Sequence, residues 1–309
     1  MAKAERVQVS QVFDTEKVAS ARYVVRVAVG PHADLVVLSL DAPPDYRRTA
    51  PSGATFAKLR ADHMNCYRID YFRSGEWSSQ ALTPTNENFH FVQPLGEPGW
   101  LLVRGRANGN SDKNAHVYGR DGRCLRSFHA GDGIEDIQVT EEGRIWVSYF
   151  DEGVFGDTAL GQAGLVCLDS SGQLGFQFNE LASVGAVPDI ADCYALNVCS
   201  NREAWLYYYT DFPLVRLVDG QVAGLWTGIG VKGSHAFAVS EKHILFAGGY
   251  SKRNRLFLVD LATSKVKERI PVDEKDQVIE SFAAFGRGNR LWLQAGSALF
   301  VVDLSDEDN

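Results

Sequence analysis

Seven residues whose side chains can bind metal ions or transfer protons recur at equivalent positions of a repeated strand pattern. Histidines that lie among carboxylates can hold a divalent cation such as Ca²⁺, Mg²⁺ or Zn²⁺, and they can also supply a base and an orienting acid for hydrolysis. Each of the seven stands at or beside the start of an apolar strand pattern. They are His90, Glu135, Asp136, Asp192, Tyr194, His235 and Glu280.

Six hairpin patterns supply the elements that would position these side chains. Each starts with an apolar run, passes through a tight turn rich in Gly, Pro, Asn and acidic residues, and continues with β-branched or aromatic residues. A second pair of strands follows each of the first five hairpins, but a single strand around Leu299 follows the sixth. The first hairpins begin at Tyr23, Phe89, Ile134, Tyr194, His235 and Ser281.

The amino-terminal segment offers the strand that the last repeat lacks. Residues 6–13 (RVQVSQVF) alternate like a lone strand without a hairpin partner. Pairing with the strand around Leu299 would complete the last sheet, close the ring and remove its exposed edges. We therefore predict an all-β fold, a six-bladed β-propeller in which the N-terminal strand completes the last blade. A seven-bladed ring and two stacked β domains remain alternatives.

The repeat predicts one β-propeller domain over residues 1–309. The first strands of all blades run in the same direction about the axis, so the seven candidate residues would form a ring near the mouth of the central channel. Polar side chains also stand at such wet mouths for solubility and for links between blades. The predicted blades cover approximately residues 22–82, 88–130, 134–178, 193–228, 234–272, and 280–304 together with 6–13.

The segment IEDIQVTEEGRIWVSYFDEGVFG, from Ile134 to Gly156, resembles the strand, turn and strand of known propeller repeats. Its Gly143–Val147 step is the nearest match. The chain as a whole resembles, at the level of fold, the six-bladed superfamily of NHL-repeat, TolB-like and SMP-30/gluconolactonase proteins. In the last group the resemblance implies a metal site of one Glu, two Asn and one Asp at blade starts. This chain has His, Glu or Asp, Tyr and His there, so no site residue is carried over.

Almost all the long connections fall on one face of the predicted propeller, which marks that face as the functional one. The longest, residues 41–65, contains a helix-like stretch from Ala54 to Met64 and is predicted to form a lid over the channel mouth. It also gathers a basic cluster that can meet an anionic ligand or an acidic partner, although a solvated loop is the alternative. The cluster consists of Arg47, Arg48, Lys58 and Arg60.

Charge and composition narrow the class of partner. The formal net charge of -8 and the sequence pI of about 5.4 disfavour nucleic acid and anionic membranes. Residues 1–10 lack the apolar core of a secretory signal, and no apolar run is long enough to cross a bilayer, so a cytoplasmic protein is expected. The five cysteines form no C-x-x-C pair, which disfavours a disulfide framework and a structural metal.

Two functional hypotheses follow, and the sequence leaves open whether the protein is an enzyme. The first is a binding or interaction propeller that recognises a protein or a small-molecule ligand on its long-loop face. The alternative is a metal-assisted, lactonase-like hydrolase with its site at the channel mouth. The sequence has no G-x-S-x-G elbow, phosphate-binding loop or H-E-x-x-H helix, and it lacks a dinucleotide fingerprint between a strand and a helix. The only cofactor that the pattern suggests is a divalent cation, Ca²⁺, Mg²⁺ or Zn²⁺, at the channel mouth.

Overall fold

The computed structural model describes residues 4–73, 75–96 and 99–304. They form two compact units: a first unit of residues 16–179, and a second unit that combines residues 4–15 with 180–304. Each unit contains three antiparallel blades, which confirms the all-β, six-bladed β-propeller. One domain over residues 1–309 stays a prediction, and residues 1–3 and 305–309 lie outside the described ranges.

Two short strands open the chain, β1 (Glu5–Gln8) and β2 (Ser10–Asp14). A short helix, α1 (Glu16–Ala19), then leads into the first unit. Blade 1 of this unit is formed by β3, β4, β8 and β9, blade 2 by β11 to β14, and blade 3 by β15 to β18. The strands of the first unit are β3 (Tyr23–Val29), β4 (Leu35–Leu40), β5 (Arg47–Thr49), β6 (Thr55–Ala57), β7 (Arg60–Asn65), β8 (Arg68–Arg73), β9 (Glu76–Ala81), β10 (Thr85–Glu87), β11 (Phe91–Pro94), β12 (Trp100–Val103), β13 (Ala115–Tyr118), β14 (Cys124–Phe128), β15 (Ile134–Val139), β16 (Ile145–Tyr149), β17 (Leu165–Leu168) and β18 (Leu174–Gln177).

Helix α2 (Asp151–Val154), a 3₁₀ turn (Gly161–Ala163) and helix α3 (Phe178–Ser183) lie in the connections around blade 3. In the second unit, β19 to β22 form blade 4, and β23 to β26 form blade 5. Blade 6 consists of β27, β28, β29 and the amino-terminal β2. The strands of this unit are β19 (Asp192–Val198), β20 (Glu203–Tyr209), β21 (Leu214–Val218), β22 (Gln221–Trp226), β23 (Ala236–Val239), β24 (His243–Ala247), β25 (Leu256–Asp260), β26 (Val266–Val272), β27 (Ala283–Arg287), β28 (Arg290–Ala295) and β29 (Ala298–Asp303).

Burial changes from the first strands of a blade to the last. The second strand of a blade is largely apolar on both faces and almost wholly buried, as in β4 (LVVLSL) and β16 (IWVSY). The fourth strands alternate or are largely exposed, as in β9 and β22. Within each unit the first strands contact one another, β3 with β11, β11 with β15, β19 with β23 and β23 with β27.

No helix within the described ranges is long and apolar enough to span a membrane.

The amino-terminal segment forms two strands rather than the single predicted one. Strand β2 pairs antiparallel with β29, which confirms that an N-terminal strand completes blade 6. Strand β1 pairs in parallel with β26 and adds a fifth strand to blade 5. Between them Val9 is fully buried, and its N–H donates to the carbonyl oxygen of Val272 (2.8 Å). One short segment therefore ties two blades together.

The long insertion of blade 1 is built from strands, so the predicted helix-like stretch from Ala54 to Met64 is wrong. Strands β5 and β6 form a hairpin, and β7 pairs with β10. The buried Asn88 side chain donates to the carbonyl oxygens of Asp45 and Lys58, both at 2.8 Å. These backbone contacts fix the insertion in an extended form, because they satisfy carbonyl groups that a helix would use internally.

A buried ionic cluster anchors the same insertion. The Arg104 guanidinium is 0% exposed and contacts the carboxylates of Glu87 and Asp112. Arg60 of β7 contacts the same two carboxylates at 2.9 and 3.1 Å. Burial raises the pKa of the Asp112 carboxyl, but the hydrogen bonds from Arg104, the Asn108 backbone and Arg60 outweigh it and lower the pKa to about 2. Asp112 is therefore ionised at neutral pH and holds both arginines.

Replacing Val9 by Asp is expected to destabilise the protein by about 3 kcal/mol or more, because it places an unpaired carboxylate in an apolar core. Urea denaturation at pH 7 measures the change. The control is Val12→Asp, since Val12 lies on β2 but is 45% exposed, and its effect should stay within about 0.5 kcal/mol. Equal losses from both variants would contradict the proposed tie between blades 5 and 6.

Replacing Arg104 by Met is expected to cost about 3–5 kcal/mol, because it leaves the Glu87 carboxylate buried with a weaker partner. The measurement is again urea denaturation at pH 7. Arg60→Met serves as the matched control, since the Arg60 side chain is 42% exposed and should cost about 1 kcal/mol or less. A loss of similar size in the control would show that burial of Arg104 is not what matters.

Candidate functional site

The seven predicted channel-mouth residues divide between the two units. His90, Glu135 and Asp136 belong to the first unit, at the start of blades 2 and 3. The other four belong to the second unit, where they precede or begin the first strands of blades 4, 5 and 6. These are Asp192, Tyr194, His235 and Glu280.

In the first unit, Asp136 takes part in an internal ion pair. Its Oδ1 accepts from the Arg26 guanidinium at 3.0 Å, and its Oδ2 accepts from the Gln138 amide at 3.1 Å. Burial raises the pKa of the Asp136 carboxyl, while Arg26 acts in the opposite direction. The Arg26 guanidinium also lies over the Phe91 ring, 5.2 Å from its centroid. Asp136 is thus used to position Arg26, and the neighbouring Glu135 is partly buried.

His90 is covered by the insertion of blade 1. The Tyr46 ring stacks on the imidazole with centroids 4.4 Å apart, and the Tyr46 hydroxyl donates to the carbonyl oxygen of Phe89 (2.7 Å). The His90 Nδ1 accepts from the backbone N–H of Gly105 at 3.1 Å, so the neutral ring carries its proton on Nε2. Burial, followed by the positive charges of Arg104 and Arg26, lowers the pKa of His90 to about 4. This imidazole is neutral at pH 7 and its basic nitrogen is occupied.

In the second unit, two of the predicted residues come together in an aromatic cluster. The Tyr194 ring stacks on His235, with centroids 4.7 Å apart and planes 26° apart. The Tyr194 and Tyr250 hydroxyls are 2.6 Å apart, and the buried Phe212 ring contacts both tyrosines edge-on. We call Tyr194, Phe212, His235 and Tyr250 the aromatic cluster. Its rings hold one another in fixed orientations, because edge-on and stacked pairs favour defined geometries.

A cavity of about 450 Å³ lies beside the aromatic cluster and is called the long-loop cavity here. It is bounded by the β24–β25 connection and by the starts of the first strands of blades 5 and 6. Four larger side chains, His235, Tyr250, Arg253 and Phe282, stand among small residues. The small lining residues are Gly233, Ala236, Ala247, Gly248, Gly249, Ala283 and Ala284.

Gly233 permits the close approach that shapes this cavity. Its φ is +76°, and a Cβ there would meet the Tyr250 ring at 2.4 Å. Tyr250 is nevertheless 57% exposed, so one side of its ring packs on backbone while much of the rest is open to solvent. Any side chain at position 233 would therefore displace Tyr250.

Asp192 and Glu280 remain outside the lining of the cavity. Asp192 is partly buried at the start of β19. The exposed Glu280 carboxylate accepts at 2.9 Å from the amide of Asn254, which follows Arg253 in the chain.

Tyr250 and Arg253 line the cavity but are not among the residues predicted from the sequence. Their connection is short, so loop length gave no signal, and only the Gly248-Gly249-Tyr250 run marks it as unusual.

The predicted basic cluster of the insertion is partly neutralised. Lys58 contacts the carboxylates of Asp45 and Asp62, and Arg60 belongs to the buried ionic cluster. Arg48 lies over the exposed Phe56 ring at 5.6 Å, and Arg47 is exposed on the same hairpin. Binding of an anionic ligand or an acidic partner at this cluster stays a prediction.

No group of three or more His, Cys, Asp or Glu side chains converges to hold an ion within residues 4–73, 75–96 and 99–304. Binding of Ca²⁺, Mg²⁺ or Zn²⁺ at the channel mouth stays a prediction.

A second cavity of about 630 Å³ lies at the tight turns of blades 4, 5 and 6. Its charged groups largely satisfy each other, because Glu203 accepts from Arg216 at 2.9 and 3.2 Å and from the Trp205 indole at 2.8 Å. Trp205 itself is buried and stacked on Trp226. The aromatic rings that line the long-loop cavity, Tyr250 and His235, are more exposed than Trp205, so this cavity is the better candidate for ligand recognition.

The low pKa of His90 gives a testable titration. We expect its imidazole to titrate near pH 4 in NMR spectra, whereas an unfolded histidine titrates near about 6.5. Because protonation is harder in the folded state, the contribution of His90 to stability falls as the pH drops through this window. Tyr46→Ala should move the pKa of His90 upward, since it removes the covering ring. Titration of wild-type His90 near pH 6.5 would contradict this picture.

Comparison with known proteins supports the fold. Residues 165–302 match the sequence profile of the YxzG family. No curated protein matches the chain at a significant level. The virginiamycin B lyase of Staphylococcus aureus is similar in structure, with a TM-score of 0.50 and 10% identity over 94% of this chain and 96% of that chain. A gluconolactonase from Xanthomonas campestris gives a TM-score of 0.44 at 10% identity, over 97% and 98% of the two chains. The likeness to the lyase shows the propeller fold, which confirms the fold-level resemblance predicted from the sequence.

Proposed function

We propose that the protein is a binding propeller whose long-loop cavity recognises a small organic ligand. The observation that carries the proposal is a concave space of about 450 Å³ walled by the exposed rings of Tyr250 and His235. Ligand sites in proteins are typically clefts of about 300–1,000 Å³ with aromatic walls and a few polar groups. A compact organic molecule fits this description.

The walls are already held in place without a ligand. Tyr250 is fixed by the Tyr194 hydroxyl and by Phe212, and His235 is fixed by stacking on Tyr194. A ligand that enters therefore orders few additional side chains, and less of the interaction energy is lost to conformational entropy. The small residues of the lining leave room for the ligand to approach the backbone.

The metal-assisted hydrolase at the channel mouth has less support. Asp136 is committed to Arg26, and the basic nitrogen of His90 accepts from Gly105. An enzyme of that kind needs its acid, base and metal ligands on one substrate atom. Propellers serve both binding and catalysis, so the choice rests on these side-chain arrangements rather than on the fold.

The proposal is tested by ligand-observed NMR with a panel of indolyl, phenyl and nicotinyl carboxylates and their amides. At least one compound is expected to bind, and Ala283→Trp is expected to weaken it by about tenfold or more, because the indole fills the cavity from its exposed edge. Ala283 is exposed on β27, so the change should leave the fold intact.

The matched control is Lys267→Trp, which places the same side chain at an exposed position of β26 away from the cavity lining. It should change affinity by less than about twofold. Failure of every compound in the panel to bind, or equal weakening by the two tryptophan variants, would overturn the proposed site.

A further inference from the structure

The long-loop cavity contains one arginine that the protein does not use for its own structure. Arg253 lines the cavity and is exposed, and its side chain makes no hydrogen bond or ion pair with another residue of the described ranges. Its basic neighbours in the chain do form ion pairs, since Lys252 and Arg255 both contact the Glu268 carboxylate. The positive charge of Arg253 is thus available to a ligand.

Among the residues that the structure describes, no Asp or Glu lines this cavity. Two carboxylates that contact the chain neighbours of Arg253 are engaged by them, Glu268 by Lys252 and Arg255, and Glu280 by the Asn254 amide. The exposed Lys232, whose carbonyl oxygen accepts the Tyr250 N–H, adds further positive charge beside the connection. The cavity therefore favours an anion even though the whole chain carries a formal charge of -8.

The shape of the guanidinium group selects among anions. Its planar fork presents parallel N–H donors that match the two oxygens of a carboxylate. The exposed rings of Tyr250 and His235 provide a surface for the flat apolar part of a ligand. A molecule that carries both an anionic group and a flat ring would complement the arginine and the two exposed rings of this cavity.

We infer that the long-loop cavity is a site for an aromatic carboxylate, with the carboxylate on Arg253 and the ring against Tyr250 and His235. This inference rests on the proposed function, because it names the class of ligand for the same cavity. Arg253 acts as the group that sets specificity, and the aromatic cluster supplies ring contact that does not depend on charge.

The test compares indole-3-acetate with indole-3-acetamide, which have the same ring and nearly the same volume but differ in charge. Isothermal titration calorimetry should show about tenfold tighter binding of the carboxylate, the effect of roughly one charge-assisted interaction. Arg253→Gln should remove this preference by weakening the carboxylate about tenfold while leaving the amide unchanged.

Lys252→Gln is the control, since it removes the neighbouring charge that Glu268 already neutralises. It should leave the preference within about twofold of the wild-type value. Equal binding of the two probes, or a preference that survives Arg253→Gln, would overturn the inference and leave the proposed function standing. If neither probe nor any other member of the panel binds, the proposed function itself fails.

Discussion

The antiparallel pairing of β2 with β29 is the contact on which the second unit depends. Without β2, blade 6 would keep three strands, and β29 would become its outer edge. The first strand of this blade, β27, contributes Ala283 and Ala284 to the long-loop cavity. The blade that β2 completes at its outer edge therefore also supplies part of the cavity wall at its inner edge.

The two units treat similar residue types in different ways. In the first unit, a histidine at the start of a blade is covered by Tyr46 and kept neutral, and an aspartate is paired with Arg26. In the second unit, the histidine at the start of a blade is exposed and stacked on Tyr194. Burial and partners, rather than residue type, decide which position is available to a ligand.

The repeat made the fold predictable, because alternating strands and Gly-containing turns such as the one before Ile145 are local signals. The same alignment found Tyr194 and His235, since both stand where the first strands begin. Tyr250 and Arg253 could not be found in this way, because they lie in the β24–β25 connection and the cavity exists only where β27 lies beside β23. The error at residues 54–64 has a related cause: Asn88 and β10 hold that segment extended, and such tertiary contacts override local propensity.

The parallel addition of β1 to β26 affects the order in which the polypeptide can assemble as it is synthesised. Strand β26 leaves the ribosome before β29, so β1 has a partner while β2 still has none. Once β1 has paired with β26, β2 is held close to its final position, because only Val9 separates the two strands. Most of the entropy cost of bringing the amino-terminal segment to the later blades is then incurred before β29 emerges. The last pairing is then a local step, in which β29 pairs with a β2 strand that is already held nearby.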